Sequence, residues 1–376
     1  MADFDFLIIG SGIAGASAGA MLAGRARVAL FERESAHGYH TTGRSAALWS
    51  ALYGNDAIRA LTVASRAFYD APPAGFADHP LLTPRGCLYF AGPGQLGRLD
   101  EIAAGASTLG IVTRRLTARE TVEMCPVLIR DHVAGALHEL DAMDIDVNAL
   151  HQGFLRQCRV RGGDVRTDAE VVSLNRQGAV WTARLASGET VTASVVINAA
   201  GAWADVMARL AGIAPVGLRP LKRTVFLLDE PDGVSAKAWP TMIEVDEAFY
   251  FKPESGKILV SPCDETPSEP CDAWPEDLTI AECVERLQAW ADIPVRRIVR
   301  SWAGLRSFVS DRTPVIGFEP GMDGFFWLAG QGGYGMQTAP AAGHVAAALA
   351  RGEDLPEDVR ALGLKAEQLS PARFRG

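Results

Sequence analysis

The sequence predicts an α/β fold in two domains, and three observations carry that reading. A strand–glycine loop–helix–strand unit fills the first 32 residues, and a second strand–glycine loop–helix lies near the C-terminal end. Between them, residues 216–302 read mainly as strands, with the alternation of a largely antiparallel sheet. The chain's 376 residues also exceed what one ordinary core accommodates.

In the first unit, Phe4 to Ile9 is a short apolar run of strand formers. It leads into Gly10, Gly12 and Gly15, a small-residue helix from Ile13 to Leu22, and a second strand from Arg27 to Glu32. This is the βαβ setting that a Rossmann-type dinucleotide fingerprint requires. Gly10 permits the tight turn, Gly12 lets backbone approach a pyrophosphate, and Gly15 lets helix and strand pack closely. The helix start at Ile13 and Ala14 then offers free N–H groups and a positive dipole end to phosphate. Glu32 stands where a carboxylate accepts from a ribose hydroxyl. It would repel a 2′-phosphate, which disfavours NADP and leaves NAD or FAD. The next polar turn, His40 to Ala47 with Thr42, Gly43, Arg44, Ser45 and Ala46, suits a chain running along a long cofactor past its pyrophosphate.

Further along, the pattern predicts a helix over 51–70, ended by Pro72-Pro73, and a helix at about 148–161 followed by a strand at about 164–168. Ala179 to Ala193 alternates around Ser187-Gly188 as a hairpin does, and Val195 to Gly201 is a buried strand with small residues at its end. Strands are expected at Arg223–Leu228, Thr241–Val245, Phe249–Lys252 and Lys257–Ser261, with a helix near 279–291. A last strand, Gly324 to Ala329, runs into Gly330, Gly332, Gly333, Tyr334, Gly335, Met336, Gln337 and Thr338, and then an Ala-rich helix. That helix N-terminus is a candidate to face the pyrimidine end of a flavin, where its dipole stabilises negative charge.

Composition narrows the function. A net charge of −9 with no basic block argues against nucleic acid as a partner. The longest apolar run, Val195 to Ala214, is broken by Asp205 and Arg209, so no transmembrane segment is expected. The first strand starts by Phe4, leaving no room for a signal peptide, so a cytoplasmic location is expected. Six cysteines and seven histidines show no metal-ligand spacing, and the missing CxxC argues against a disulfide reductase.

Arg223 and Arg306 lie in otherwise apolar strands, where a buried guanidinium fork is suited to a carboxylate. Salt bridges at the surface are the competing explanation. Tyr53 and Tyr250 are candidates to add hydroxyl donors, although each also reads as a half-buried aromatic.

With these residues assembled, the chain resembles the D-amino acid oxidase superfamily of FAD enzymes, which includes glycine oxidase, sarcosine oxidase and D-amino acid dehydrogenases. Within it the closest likeness is to the FAD-dependent D-arginine dehydrogenase group. The likeness runs nearly end to end, through IIGSGIAGAS, FERE, GYHTTGRSAA, HPLLTPRG, DVNALHQGF, NAAGAWAD, DEAFYFKP, WAGLRSF and GQGGYGMQT.

The resemblance implies a Rossmann-type FAD-binding domain (1–50, 141–212 and 304–376) and a discontinuous α+β substrate domain on a mainly antiparallel sheet (51–140 and 213–303). It implies FAD contacts from Gly10, Gly12, Gly15, Glu32, Arg33, Thr42, Arg44, Ser45, Val171, Ala199 and Gly201, and from the loop Gly332 to Thr338. Arg223, Tyr250 and Arg306 would hold a substrate carboxylate, with Tyr53 and the Gly333 backbone nearby. Leu48, Ser50, Cys87 and Gln337 would line the substrate pocket. No cysteine follows Cys283, which supports non-covalent FAD.

The expected reaction is oxidation of a D-amino acid by hydride transfer to flavin, with oxygen or a quinone as the acceptor left open. The competing readings are a secondary amine or 2-hydroxy acid substrate, and a non-catalytic FAD-binding subunit. Leu48 stands where the D-arginine group has a histidine, and Cys87 where it has an acid. A neutral side chain is therefore expected in place of a guanidinium.

Overall fold

The computed structural model describes residues 2–108 and 110–375. An eight-stranded sheet has the first strand at its centre. Phe4–Ile9 runs parallel to Val28–Phe31 on one side and to Thr190–Asn198 on the other. Asp164–Arg166 extends the parallel run beyond Val28–Phe31, and Phe325–Ala329 joins the end of Thr190–Asn198. Every residue of Val28–Phe31 and of Phe325–Ala329 is buried, as expected for parallel strands covered on both faces.

The helix Ile13–Leu22 packs against Val147–Val160 and Gly335–Ala350. Its run of alanines and glycines is what lets the helices approach so closely. A Cβ added at Gly343 would sit 2.7 Å from Cβ of Ser17, and one at Gly19 would sit 3.3 Å from Sγ of Cys158.

A second, nine-stranded sheet interleaves distant parts of the chain. Cys87–Ala91 pairs in parallel with Thr241–Glu244, and Gly135–Glu139 lies on its other side. Arg219–Asp229 pairs with Arg300–Phe308 from Arg219↔Phe308 to Leu227↔Arg300. The strand Arg300–Phe308 therefore runs through the boundary expected at 304. A small third sheet joins Leu48–Trp49 and Leu82–Pro84 to Met143–Ile145.

Two expected elements are shorter than the pattern suggested. The helix expected over 51–70 spans Asp56–Asp70, because Gly54 takes a left-handed φ of 101° and the Asn55 side chain caps the Ile58 N–H. The strand expected to 168 stops at Arg166, and Asp168 turns the chain with a φ of 51°. Among the described residues, no helix is long and apolar enough to cross a membrane.

Candidate active site and cofactor cleft

The glycine loop between the first strand and first helix forms the floor of a long cleft. Gly10 has a φ of 100°, and a Cβ there would lie 2.4 Å from the Ala199 carbonyl oxygen, so no other residue fits this turn. The Thr42 hydroxyl accepts from the Ile13 N–H at 3.0 Å and closes over the helix start. Glu32, nearly buried, accepts from the Ser11 N–H and hydroxyl, both at 2.9 Å. His151 supports the same loop from below, its Nε2 2.7 Å from the Ser11 carbonyl.

Two cavities continue into one another here. One is lined by Gly10, Glu32, Arg33, Val171 and Trp203, the other by Ile13, Ala14, Ser45, Ala46, Met336 and Gln337. They share Gly12, Thr42, Ala199 and Gly201, which makes a single extended trough. The Arg33 guanidinium lies 4.1 Å over the Trp203 ring at one end. At the other end Gly332 and Gly333 bend the chain before the helix Gly335–Ala350. A Cβ on Gly333 would meet Cζ of Arg306 at 2.8 Å. The first N–H groups of that helix lack intrahelical acceptors and open on the cavity with Gly335, Met336 and Gln337.

The trough fits a long polar cofactor. His40 Nδ1, Ser307 Oγ and Gln331 Nε2 are buried polar atoms with no hydrogen-bond partner among the described residues, and all three residues line it. Buried polar groups are rarely left unpaired, so their orphaned state points to a bound group that satisfies them.

Several expected contacts take other roles. Gly15 does not reach the trough. A Cβ there would fall 1.9 Å from the Gly10 carbonyl oxygen, so its hydrogen serves helix–strand packing. Gly43 forms the turn on Gly38, its N–H 2.8 Å from that carbonyl. Tyr334 packs its ring 4.7 Å from that of Tyr53, and Thr338 returns its hydroxyl to the Tyr334 carbonyl at 2.9 Å. Arg44 lines the cavity, but its guanidinium pairs with Asp272 and donates to the Ala273 and Ala303 carbonyls at 3.0 Å. It clamps the segment around 272 rather than offering a free charge.

Beyond the glycine loop at residues 330–335, the cavity is walled by the second sheet. Arg223 and Val225, Tyr250 and Lys252, and Thr241 and Ile243 each stand two residues apart on one strand, which puts each pair on one face. Arg306 donates from Nη1 to the Tyr53 hydroxyl at 2.9 Å. No carboxylate pairs with Arg306 among the described residues. The ionisable groups closest to it are Tyr53, Tyr250 and Cys263, and its charge also reaches Glu265. Arg223 is buried and partly used: Nε donates to the Asp264 carbonyl at 3.0 Å, and Nη2 lies 3.5 Å from Glu265. Burial pushes the Tyr250 phenol up and the Cys263 thiol up to about 11, so both stay protonated.

Leu48, Ser50 and Gln337 line this cavity as expected. Gln337 is anchored, donating to the Thr62 hydroxyl at 2.8 Å. Cys87 is the exception. It is fully buried among Leu52, Tyr89, Leu99 and Leu137, and Tyr89, two residues along on the same strand face, takes the wall instead. An acid also lines the cavity, exposed Glu247 with a φ of 57°, although neither Leu48 nor Cys87 supplies one. Lys252 lines it too, neutralised by Asp144 at 2.7 Å. Tyr89, Thr241, Glu247, Lys252 and Cys263 were missed. For Lys252 the signal was available in its two-residue spacing from Tyr250.

Residues 5–349 match the DAO family, described as FAD dependent oxidoreductase. The chain belongs to that family. FAD is accordingly its cofactor. Glycine oxidase of Geobacillus kaustophilus is 24% identical over 379 residues, covering 96% of each chain. FAD-dependent oxidoreductase domain-containing protein 1 of Bos taurus is 28% identical over 177 residues, 42% of this chain and 36% of that protein. The match to hydrogen cyanide synthase subunit HcnC of Pseudomonas aeruginosa covers 57% of that protein, so the chain spans only part of several relatives. Among solved structures, Geobacillus kaustophilus glycine oxidase superposes with a TM-score of 0.84 at 22% identity, covering 99% of both chains. L-proline dehydrogenase from P. horikoshii gives 0.80 at 20% identity, covering 99% of this chain and 97% of that one.

Proposed function

We propose that this protein oxidises an amino acid at its carbon–nitrogen bond, preferring the D configuration and a medium-sized neutral side chain. The observation that carries the reading is Arg306, a guanidinium set in the cavity wall with a phenol and, among the described residues, no acid as its partner. A cation so placed lacks its anion, and a substrate carboxylate supplies it through the guanidinium fork. Arg223 and Tyr250 stand beside it, and among the described residues Nη1 of Arg223 and the Tyr250 hydroxyl have no side-chain partner. Glycine and L-proline, named for two of the similar proteins, each combine an amine with a carboxylate.

Gly10, Gly12, Glu32, Thr42, Val171 and Ala199 would hold the FAD, with Gly332 to Gln337 at its flavin end. When bound, FAD supplies a two-electron acceptor for the hydride on the substrate α-carbon. The chain's own residues bind and orient. Arg306 and Arg223 fix the carboxylate, Tyr53 holds Arg306, and Leu48, Val225, Ile243 and Tyr89 receive the side chain and exclude water. Water then hydrolyses the imino acid to a 2-oxo acid and ammonia.

The test is an anaerobic screen of the flavoprotein against D- and L-amino acids, sarcosine, proline and 2-hydroxy acids. Bleaching led by neutral D-amino acids is expected. A lead from secondary amines or hydroxy acids would move the assignment to those substrates, and no bleaching at all would leave a non-catalytic FAD-binding subunit.

A further inference from the structure

An amino acid arrives carrying an ammonium group, and its nitrogen lone pair must be freed before a carbon–nitrogen double bond can form. The structure holds one arrangement that connects the substrate cavity to a deeply buried carboxylate. Ser50 lines the cavity, and its hydroxyl donates to Oε2 of Glu139 at 2.6 Å. Glu139 is fully buried, and its Oε1 accepts from the Ala51 N–H at 2.8 Å and the Leu52 N–H at 3.3 Å. It thereby suspends the turn that carries Tyr53, the partner of Arg306. We propose that Ser50 and Glu139 form the exit path for the proton that the substrate ammonium sheds, a proposal that rests on the amine-oxidation reading above.

In the step, an N–H bond of the ammonium breaks and its electron pair stays on nitrogen. That proton bonds to Oγ of Ser50 while the proton already on Ser50 passes to Oε2 of Glu139. The products are a neutral amine, an unchanged serine and a protonated carboxyl group. Arg306, which pairs with no carboxylate among the described residues, repels the ammonium and favours its loss of a proton.

Other acids near the cavity are committed or solvated. Asp144 is paired with Lys252 and Arg85, Glu265 with Arg312 and Arg223, and Glu247 stands at the exposed mouth. The groups facing Glu139 are Cys87 and Thr113 on the two flanking strands, with Asp141 beyond its own strand end and Tyr89 beside Ser50. None is a cation. Burial and the Asp141 charge hold the Glu139 carboxyl above the usual carboxylate range, against the pull of its hydrogen bonds. That brings it closer in basicity to the amine it would serve.

The test mixes the flavin-loaded protein anaerobically with the amino acid that bleaches it best and follows reduction against pH, in wild type, S50A, S50T, E139Q and E247Q. Wild-type bleaching establishes the underlying reading, and its absence overturns that reading and this proposal together. With bleaching present, S50A and E139Q should be slower by about tenfold or more near pH 7, the gap closing to about threefold near pH 10, where substrate arrives already neutral. S50T, which keeps the hydroxyl, should follow wild type. A loss that is equal at every pH would mean that Glu139 only supports the turn. An unshifted acid limb in both variants, or a shift in E247Q instead, would also overturn the proposal.

Discussion

Arg306 and Arg223 are not equivalent, although the sequence offers them as a matched pair. Among the described residues Arg306 has a phenol as its only hydrogen-bonding side chain, whereas Arg223 already serves the Asp264 carbonyl and Glu265. Removing Arg306 with Arg306→Met should therefore lower kcat/KM for an amino acid by about 30-fold or more, since a hydrogen bond to a charged group contributes ~2 kcal/mol or more. Arg223→Met should cost less. Lys222 does not stand in for Arg223, because it alternates to the other face and pairs with Glu276. Steady-state kinetics with flavin content held equal would check both, and an unchanged kcat/KM in the two variants would remove the carboxylate site. The side-chain end of the cavity makes a second prediction. Leucine-sized D-amino acids should exceed D-arginine, because burial contributes about 0.8 kcal/mol per CH₂ while a guanidinium loses hydration. Glu247 is the one acid lining the cavity among the described residues, so E247Q should raise the ratio of kcat/KM for D-leucine over D-arginine. A ratio below one in wild type would contradict the neutral-side-chain reading.

At the scale of elements, the glycine loop was legible because its pattern is local. Gly10, Gly12 and Gly15 sit within six residues between one strand and one helix, although only Gly15 meets its own βαβ unit, while Gly10 meets Ala199 and Gly12 meets Thr42. The substrate wall was not legible in the same way. Tyr89 meets Thr241 and Ile243 only because Cys87–Ala91 pairs in parallel with Thr241–Glu244, a register between segments far apart in the chain. That register also puts Tyr89 on the wall and Cys87 behind it, so a side chain expected in the pocket was displaced by its neighbour two residues on. Arg44 lines the trough, but its ion pair was not legible for a related reason, since Asp272 and the Ala303 carbonyl reach it from more than 200 residues away. The element-scale prediction concerns Gly15→Ala. The added Cβ would lie 1.9 Å from the Gly10 carbonyl oxygen, so the loop must shift, at a cost of ~1–3 kcal/mol or more. The purified variant should show a lower Tm and a lower flavin-to-protein ratio. Full flavin content at wild-type Tm would show that the loop tolerates the methyl group.

Over the whole molecule, the two large sheets meet along the trough, and the chain passes between them at the places where function concentrates. The strand Arg300–Phe308 belongs to the second sheet, yet its Ser307 faces the cofactor trough and its Arg306 the substrate cavity. The N-terminal turn at 50–53 hangs from Glu139 in the second sheet while Gln337, from a helix packed on the first, donates to its Tyr53 carbonyl at 3.4 Å. Cys263 is the one cysteine lining the trough among the described residues, and burial keeps it a thiol rather than a reactive thiolate. Flavin should therefore leave with the supernatant when the protein is precipitated by acid, and yellow colour retained on the washed pellet would show a covalent link.

The central claim is that an unpaired guanidinium captures an amino acid by its carboxylate and presents its amine for oxidation. The most direct measurement is anaerobic flavin reduction by D-leucine compared with 3-methylbutylamine, the same molecule without its carboxylate. D-Leucine should bleach the flavin in wild type and much more slowly in Arg306→Met, while the amine should be a poor reductant of both. Equal reduction by the two compounds in wild type, or reduction by D-leucine that ignores Arg306, would contradict it.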